Sequence, residues 1–78
     1  MEIRGFAYLP ATLEVAAGDT VLWVNRDVVP HTATRDGGDW DSGSLEAERA
    51  WRLIATPQGS QSYYCAFHPT MRGVLVVR

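Results

Sequence analysis

Between Cys65 and Met71 the chain reads Cys-Ala-Phe-His-Pro-Thr-Met, which sets a thiol, an imidazole and a thioether three residues apart. All three are soft or borderline metal ligands. The only other histidine, His31, follows Pro30 at the end of a separate apolar segment. One Cys, two His and one Met are the donor set suited to copper: a trigonal plane of two imidazoles and a thiolate, with a long axial thioether. Cu(I) favours sulfur and Cu(II) favours imidazole, so a mixed set changes little between oxidation states, and small reorganisation means fast electron exchange. Taken singly, these residues have structural explanations: Cys65 as a buried apolar filler, His31 as a hydrogen-bonding histidine, Met71 as core packing, His68-Pro69 as a turn. Those separate explanations do not account for Cys, His and Met sharing one turn while the other His sits at another strand end.

Such ligands need a frame, and this one is small. With 78 residues the chain is expected to form a single domain over residues 1–78, without room for a second cofactor domain. A composition of 46% hydrophobic and 21% charged residues lies near the globular average, which argues for a folded chain rather than a disordered one. Domains of this size commonly need a staple, and a single cysteine excludes an internal disulfide. A metal or a partner chain takes its place. All seven basic residues are arginine, the net charge is −2, and no basic stripe interleaved with aromatics forms, so nucleic acid is not the expected partner. Apolar runs such as Val74–Val77 are too short to span a bilayer. Met1 leads directly into a strand-like segment, so no signal peptide is expected within the chain.

Periodicity points to β-structure throughout. Short β-branched or aromatic segments alternate with Gly, Pro and Asp, without a sustained helical period. Strands are expected over Glu2–Tyr8, Thr12–Ala16, Thr20–Asn25, Ala50–Thr56, Gln61–Cys65 and Val74–Arg78, with a brief helical turn over Leu45–Arg49. In Thr20–Asn25, Val21 and Trp23 share one face and Leu22 and Val24 the other, so this strand should be central. The Asp-, Gly- and Ser-rich stretch Asp36–Ser44 reads as a long surface loop, in which Asp36, Asp39 and Asp41 are either simply solvated or placed to steer a basic partner. About six or seven strands so spaced predict an all-β, two-sheet Greek-key sandwich.

The stretches Gly18-Asp19-Thr20-Val21-Leu22-Trp23-Val24-Asn25, Val29-Pro30-His31-Thr32 and Tyr63-Tyr64-Cys65-Ala66-Phe67-His68-Pro69-Thr70-Met71-Arg72-Gly73 together resemble the type 1 (blue) copper proteins of the cupredoxin family. The likeness covers essentially the whole chain, and the short ligand loop is similar to that of the amicyanins among amicyanin- and plastocyanin-like members. The resemblance implies one copper ion held by His31, Cys65, His68 and, axially, Met71. It further implies that Thr32, which stands where relatives usually have Asn, donates its backbone N–H to the Cys65 sulfur, with its hydroxyl directed toward Thr70, and that the Pro30 carbonyl lies opposite Met71. Tyr63 is expected to pack and make one hydroxyl hydrogen bond. Gln61 and Ala55 replace larger aromatic residues of the family, and the chain starts about one strand later than amicyanin. The expectation is a reduced sandwich lacking the first family strand and pared down where that strand would pack.

By the same resemblance the chain is a one-electron carrier rather than an enzyme, and no nucleophile paired with a base is evident. Electrons would pass through the exposed edge of His68, within an apolar collar of Pro30, Ala66, Phe67 and Pro69 that docks a redox protein transiently. The family setting implies a periplasmic or extracellular location. Two other classes use the same residues: a copper storage or delivery module with an exchangeable site, and a metal-free interaction domain that keeps the fold.

Overall fold

The computed structural model describes residues 1–78, and it is all-β. Eight strands form: β1 (Glu2–Arg4), β2 (Ala7–Leu9), β3 (Thr12–Val15), β4 (Thr20–Asn25), β5 (Thr34–Arg35), β6 (Ala50–Ile54), β7 (Gly59–Tyr64) and β8 (Arg72–Val77). They make two four-stranded sheets, ordered β2-β1-β4-β6 and β3-β8-β7-β5. Strands β1 and β4 pair in parallel, as do β3 and β8, while the remaining pairs are antiparallel.

The count exceeds the expected six or seven for two reasons. The segment expected as one strand over Glu2–Tyr8 folds back on itself, with Arg4 opposite Ala7 and a two-residue turn at Gly5-Phe6. Both turn residues have positive φ, 61° and 58°, the arrangement whose twist suits a tight hairpin. Two backbone N–H groups hold this turn, Gly5 donating to Asp27 Oδ1 at 2.7 Å and Phe6 to Asp27 Oδ2 at 3.0 Å. The second addition is β5, a short edge strand beside β7 that no periodicity in the sequence marks. Each sheet has four strands, and the interior is not pared down. Ala55 and Gln61 are both buried. Gln61 is bonded at both ends of its amide: its Oε1 accepts from Trp40 Nε1 at 2.8 Å and its Nε2 donates to the Pro57 carbonyl at 2.8 Å. The Trp40 indole packs into the aromatic cluster, 5.6 Å from Trp23 and 5.5 Å from Tyr63. The expected helical turn over Leu45–Arg49 is instead a tight turn closed by Arg49 N–H donating to the Glu46 carbonyl at 3.0 Å.

Strand β4 is central, between β1 and β6, as its apolar faces predicted. Its alternation sends Val21, Trp23 and Asn25 inward, while Leu22 points to solvent. From the facing sheet come Gln61 and Tyr63 of β7 and Gly73, Leu75 and Val77 of β8. At the centre, the Trp23 ring lies 5.5 Å from Tyr63 and 5.5 Å from Trp51, and Tyr8 lies 4.6 Å from Tyr63. Aromatic pairs at these spacings contribute about 0.5–1.5 kcal/mol each beyond the area they bury. This cluster sits directly beneath the end of the sandwich where the two histidines and the cysteine converge.

Candidate metal centre

Spacing by three residues has a direct structural meaning in the Cys65–Met71 loop. His68 N–H donates to the Cys65 carbonyl at 3.2 Å, and Met71 N–H donates to the His68 carbonyl at 2.8 Å. Each is the i to i+3 bond of a β-turn. Pro69 occupies the second position of the second turn, where its fixed φ is already suited. Cys65 N–H then donates to the Met71 carbonyl at 3.1 Å and closes the loop. Two consecutive turns thus bring Cys65, His68 and Met71 to one end of the molecule, with Cys65 and Met71 buried.

His31 reaches the same place from the other sheet. The chain leaves β4 at Asn25, whose fully buried side chain organises the segment leading to His31. Asn25 Nδ2 donates to the carbonyls of Val29 at 2.9 Å and Leu45 at 2.8 Å, and its Oδ1 accepts from Asp27 N–H at 2.9 Å. His31 and Leu45 then exchange backbone bonds, at 3.1 Å and 2.8 Å. The Asp36–Ser44 loop buttresses this segment rather than standing free. Ser42 Oγ accepts from Ala33 N–H at 2.8 Å, Asp41 Oδ1 accepts from Thr34 Oγ1 and Gly43 N–H, and Asp36 pairs with Arg72. Two of the three carboxylates considered for steering are therefore engaged within the chain.

The imidazole of His31 is fully buried and its Nε2 lies 2.8 Å from Asp27 Oδ2. A carboxylate only accepts, so Nε2 carries the proton and Nδ1 presents a lone pair. That lone pair faces Cys65 Sγ at 3.7 Å, and His68 Nδ1 faces the same sulfur at 3.6 Å. Partial burial pushes the Asp27 carboxyl up, but the N–H groups of Phe6 and Gly5 together with His31 outweigh it, and the group is held below the ordinary carboxylate range. It stays ionised at neutral pH and keeps the His31 tautomer.

The ligand atoms of His31, Cys65 and His68 all lie within 4.8 Å of one another. Metal–sulfur and metal–nitrogen bonds of about 2.3 and 2.0 Å, opened by about 110–120°, require a sulfur–nitrogen separation of about 3.5–3.7 Å. Both observed separations fall in that range, so the cluster fits one ion between the three groups. A thiolate and two imidazoles arranged in this way fit a type 1 copper site.

Thr32 N–H donates to Cys65 Sγ at 3.4 Å, as expected. Its hydroxyl does not turn toward Thr70. Thr32 Oγ1 instead accepts from Ala66 N–H at 2.8 Å and lies 2.8 Å from Thr34 Oγ1, tying the His31 segment to the cysteine loop. Tyr8 anchors the His31 segment to β2 by donating its hydroxyl to the Thr32 carbonyl. Burial, then the nearby Cys65 and Tyr63, push the Tyr8 phenol far above its usual range, which keeps it a donor. Sequence reasoning missed Asp27 and Phe6. Asp27 stands four residues before His31, a spacing that has no fixed meaning in a loop. Phe6 packs its ring perpendicular to both imidazoles, 5.3 Å from His31 and 4.9 Å from His68, and nothing in its sequence surroundings signals this.

Known proteins share this fold and sequence pattern. A family model described as copper binding proteins, plastocyanin/azurin family, matches residues 1–78. Amicyanin from Paracoccus denitrificans is 35% identical over 82 residues, covering 99% of this chain and 63% of the relative. A solved oxidised amicyanin variant superposes with a TM-score of 0.91 at 32% identity, covering 99% of this chain and 78% of that one. A purple cupredoxin from Nitrosopumilus maritimus superposes with a TM-score of 0.86 at 32% identity, covering 91% of this chain and 81% of its own. The chain thus spans 63% and 61% of the length of the two Paracoccus amicyanins.

Proposed function

Because the chain belongs to the plastocyanin/azurin family of copper-binding proteins, we propose that it is a one-electron carrier whose copper is held by His31, Cys65 and His68 with Met71 as the axial ligand. Copper in this position supplies a Cu(II)/Cu(I) couple. The observation that carries the reading is the preset spacing of both Nδ1 atoms from one buried sulfur, 3.7 and 3.6 Å. Ligands already at their bound separations need little rearrangement when the charge at the site changes. The chain's own groups maintain this arrangement. Asp27 holds the His31 tautomer, Thr32 N–H stabilises negative charge on Sγ, the Thr32 hydroxyl ties the two ligand segments together, and Tyr8 anchors the His31 segment to β2. Pro30 is half-buried just before His31, and its carbonyl would face the site opposite Met71.

His31 and Cys65 are fully buried, whereas His68 is only partly so. The exposed edge of His68 is therefore the contact offered to a redox partner. Ala66, Phe67 and Pro69 are exposed around it and, with Pro30, supply the apolar surface for brief docking. A delivery module would need ligands that a competing protein can reach, and two of these are sealed in the interior. The structure has no helix long and apolar enough to cross a membrane. By its likeness to amicyanins and plastocyanin we place the carrier in the periplasm or outside the cell.

Titration with Cu(II) tests the reading. One equivalent is expected to produce an intense blue thiolate-to-copper band and a reversible one-electron voltammetric wave, and Cys65→Ser to abolish the band. Weak colour with rapid loss of copper to a chelator would favour delivery, and no uptake would leave a metal-free module.

A further inference from the structure

The two histidines are not held alike. His31 is fully buried and braced through Nε2 by Asp27. His68 is partly exposed, its side chain makes no hydrogen bond besides the approach of Nδ1 to Cys65, and its ring neighbours are the Phe6 ring at 4.9 Å and 90° and the His31 ring at 5.0 Å and 62°. Phe6 is an odd residue for its position. It sits at φ 58°, in the left-handed region that Gly or Asn adopts readily and that is unfavourable for a bulky side chain. Its side chain is 52% exposed, so core packing does not explain the choice. Backbone strain of this kind persists where surrounding structure overdetermines it and is concentrated at functional sites. Here the overdetermining group is the Asp27 carboxylate, which accepts from Gly5 and Phe6 N–H and from His31 at once.

We propose that Phe6 is a positioning residue for His68: the strained turn, pinned by Asp27, holds the phenyl ring against the imidazole and keeps Nδ1 directed at the Cys65 sulfur. One carboxylate thereby sets both histidines, His31 directly and His68 through Phe6. The proposal rests on the copper reading only for what His68 binds, since the ring contact exists in the chain itself. Removing the phenyl ring frees His68 to swing toward solvent, and the site loses part of its preset geometry. Because the turn favours glycine, the same change relieves backbone strain. Site and stability are thus expected to respond in opposite directions, which a purely structural role does not produce.

The test compares Phe6→Gly and Phe6→Tyr with the parent chain. In F6G the metal-free protein is expected to melt at the same temperature or higher, while the NMR signal of the His68 Cε1–H broadens and that of His31 does not. Copper loss from the loaded F6G protein to a strong chelator is expected to be about 3- to 10-fold faster, the range to which one aromatic contact converts. F6Y keeps the ring and is expected to restore parent values in all three measurements. The proposal is overturned if F6G leaves the His68 signal and copper loss unchanged, if F6Y behaves as F6G does, or if F6G lowers the melting temperature without affecting His68. Failure of the parent chain to take up copper would instead remove the copper reading, and the His68 signals of the metal-free proteins would still decide the role of Phe6.

Discussion

Gly73 stands opposite Tyr63 in the β7–β8 ladder, and the tyrosine ring lies across it. A Cβ built on Gly73 would meet Tyr63 Cζ and Oη at 2.5 Å and Cε1 at 3.0 Å. Carbon atoms pack at about 3.5–4.0 Å, so Gly73→Ala forces an overlap of roughly 1 Å. The ring has nowhere to go. Tyr63 is fully buried, its ring lies 4.6 Å from Tyr8 and 5.5 Å from both Trp23 and Trp40, and its hydroxyl accepts from Trp23 Nε1 at 3.3 Å. Overpacking of this kind costs about 1–3 kcal/mol. Gly73 does not have a positive φ, so alanine adds no backbone strain, and its lower chain entropy in the unfolded state offsets about 0.5–1 kcal/mol. The net expectation is a loss of about 1–2 kcal/mol, or a melting temperature lower by about 5–15 °C for a domain of this size. Thermal and urea unfolding of the metal-free protein, followed by tryptophan fluorescence, measure it. Tyr63→Leu removes the three overlapping atoms, so in that background G73A should be neutral or stabilising. Equal destabilisation in both backgrounds, or none in either, would refute the steric argument. Gly73 is two residues beyond Met71 and Tyr63 two before Cys65, so G73A should also alter the visible spectrum of the copper form.

Thr32→Val removes the acceptor of Ala66 N–H while leaving the Thr32 N–H to sulfur bond in place. A loss of about 1–2 kcal/mol is expected, with Thr32→Ser recovering most of it, as urea unfolding would show. Burial pushes the Tyr63 phenol up to about 12, although the Trp23 hydrogen bond favours the ionised form. An unfolded tyrosine ionises near 10, so between about pH 10 and 12 the unfolded chain binds fewer protons and stability falls as pH rises. The Tyr63 share is about 2–3 kcal/mol, fully present below pH 10; stability of the metal-free protein that stays flat across this window would contradict the assignment, and Tyr63→Phe should make the fall shallower, the remainder coming from Tyr8, whose buried phenol is also held above its usual range. Cys65→Ser should retain the fold, judged by far-UV circular dichroism, while removing the blue band.

Much of the site was legible because its information is local. The Cys65-x-x-His68-x-x-Met71 spacing is two β-turns written in sequence, and Pro69 marks the second. The β4 strand was legible too, since apolar residues on both faces imply neighbours on both sides. The Gly5-Phe6 hairpin was not. Its turn depends on a carboxylate more than twenty residues away, and alternation alone continued the strand through it. Gln61 and Ala55 misled for a related reason. Each looked like a deficit against a family pattern, but both are buried, and Gln61 is bonded by Trp40, whose loop position gave no hint that its indole turns inward. Thr32 was recognised as a brace, and its partner was misassigned because Thr70 is near in sequence logic whereas Ala66 N–H is near in space.

By itself the sequence determined the all-β class, the donor types and the chemistry they favour, because strand periodicity and ligand softness are properties of residues and short spacings. Only the tertiary structure decided that His31 meets Cys65 and His68 with both Nδ1 atoms at bonding separations, which histidine is sealed and which is exposed, and that Asp27 and Phe6 belong to the site. Those facts depend on how two sheets and four connecting segments pack, and on hydrogen bonds between residues far apart in the chain. Physical chemistry supplies the preference for each contact, and the packed core selects which of them can be satisfied together.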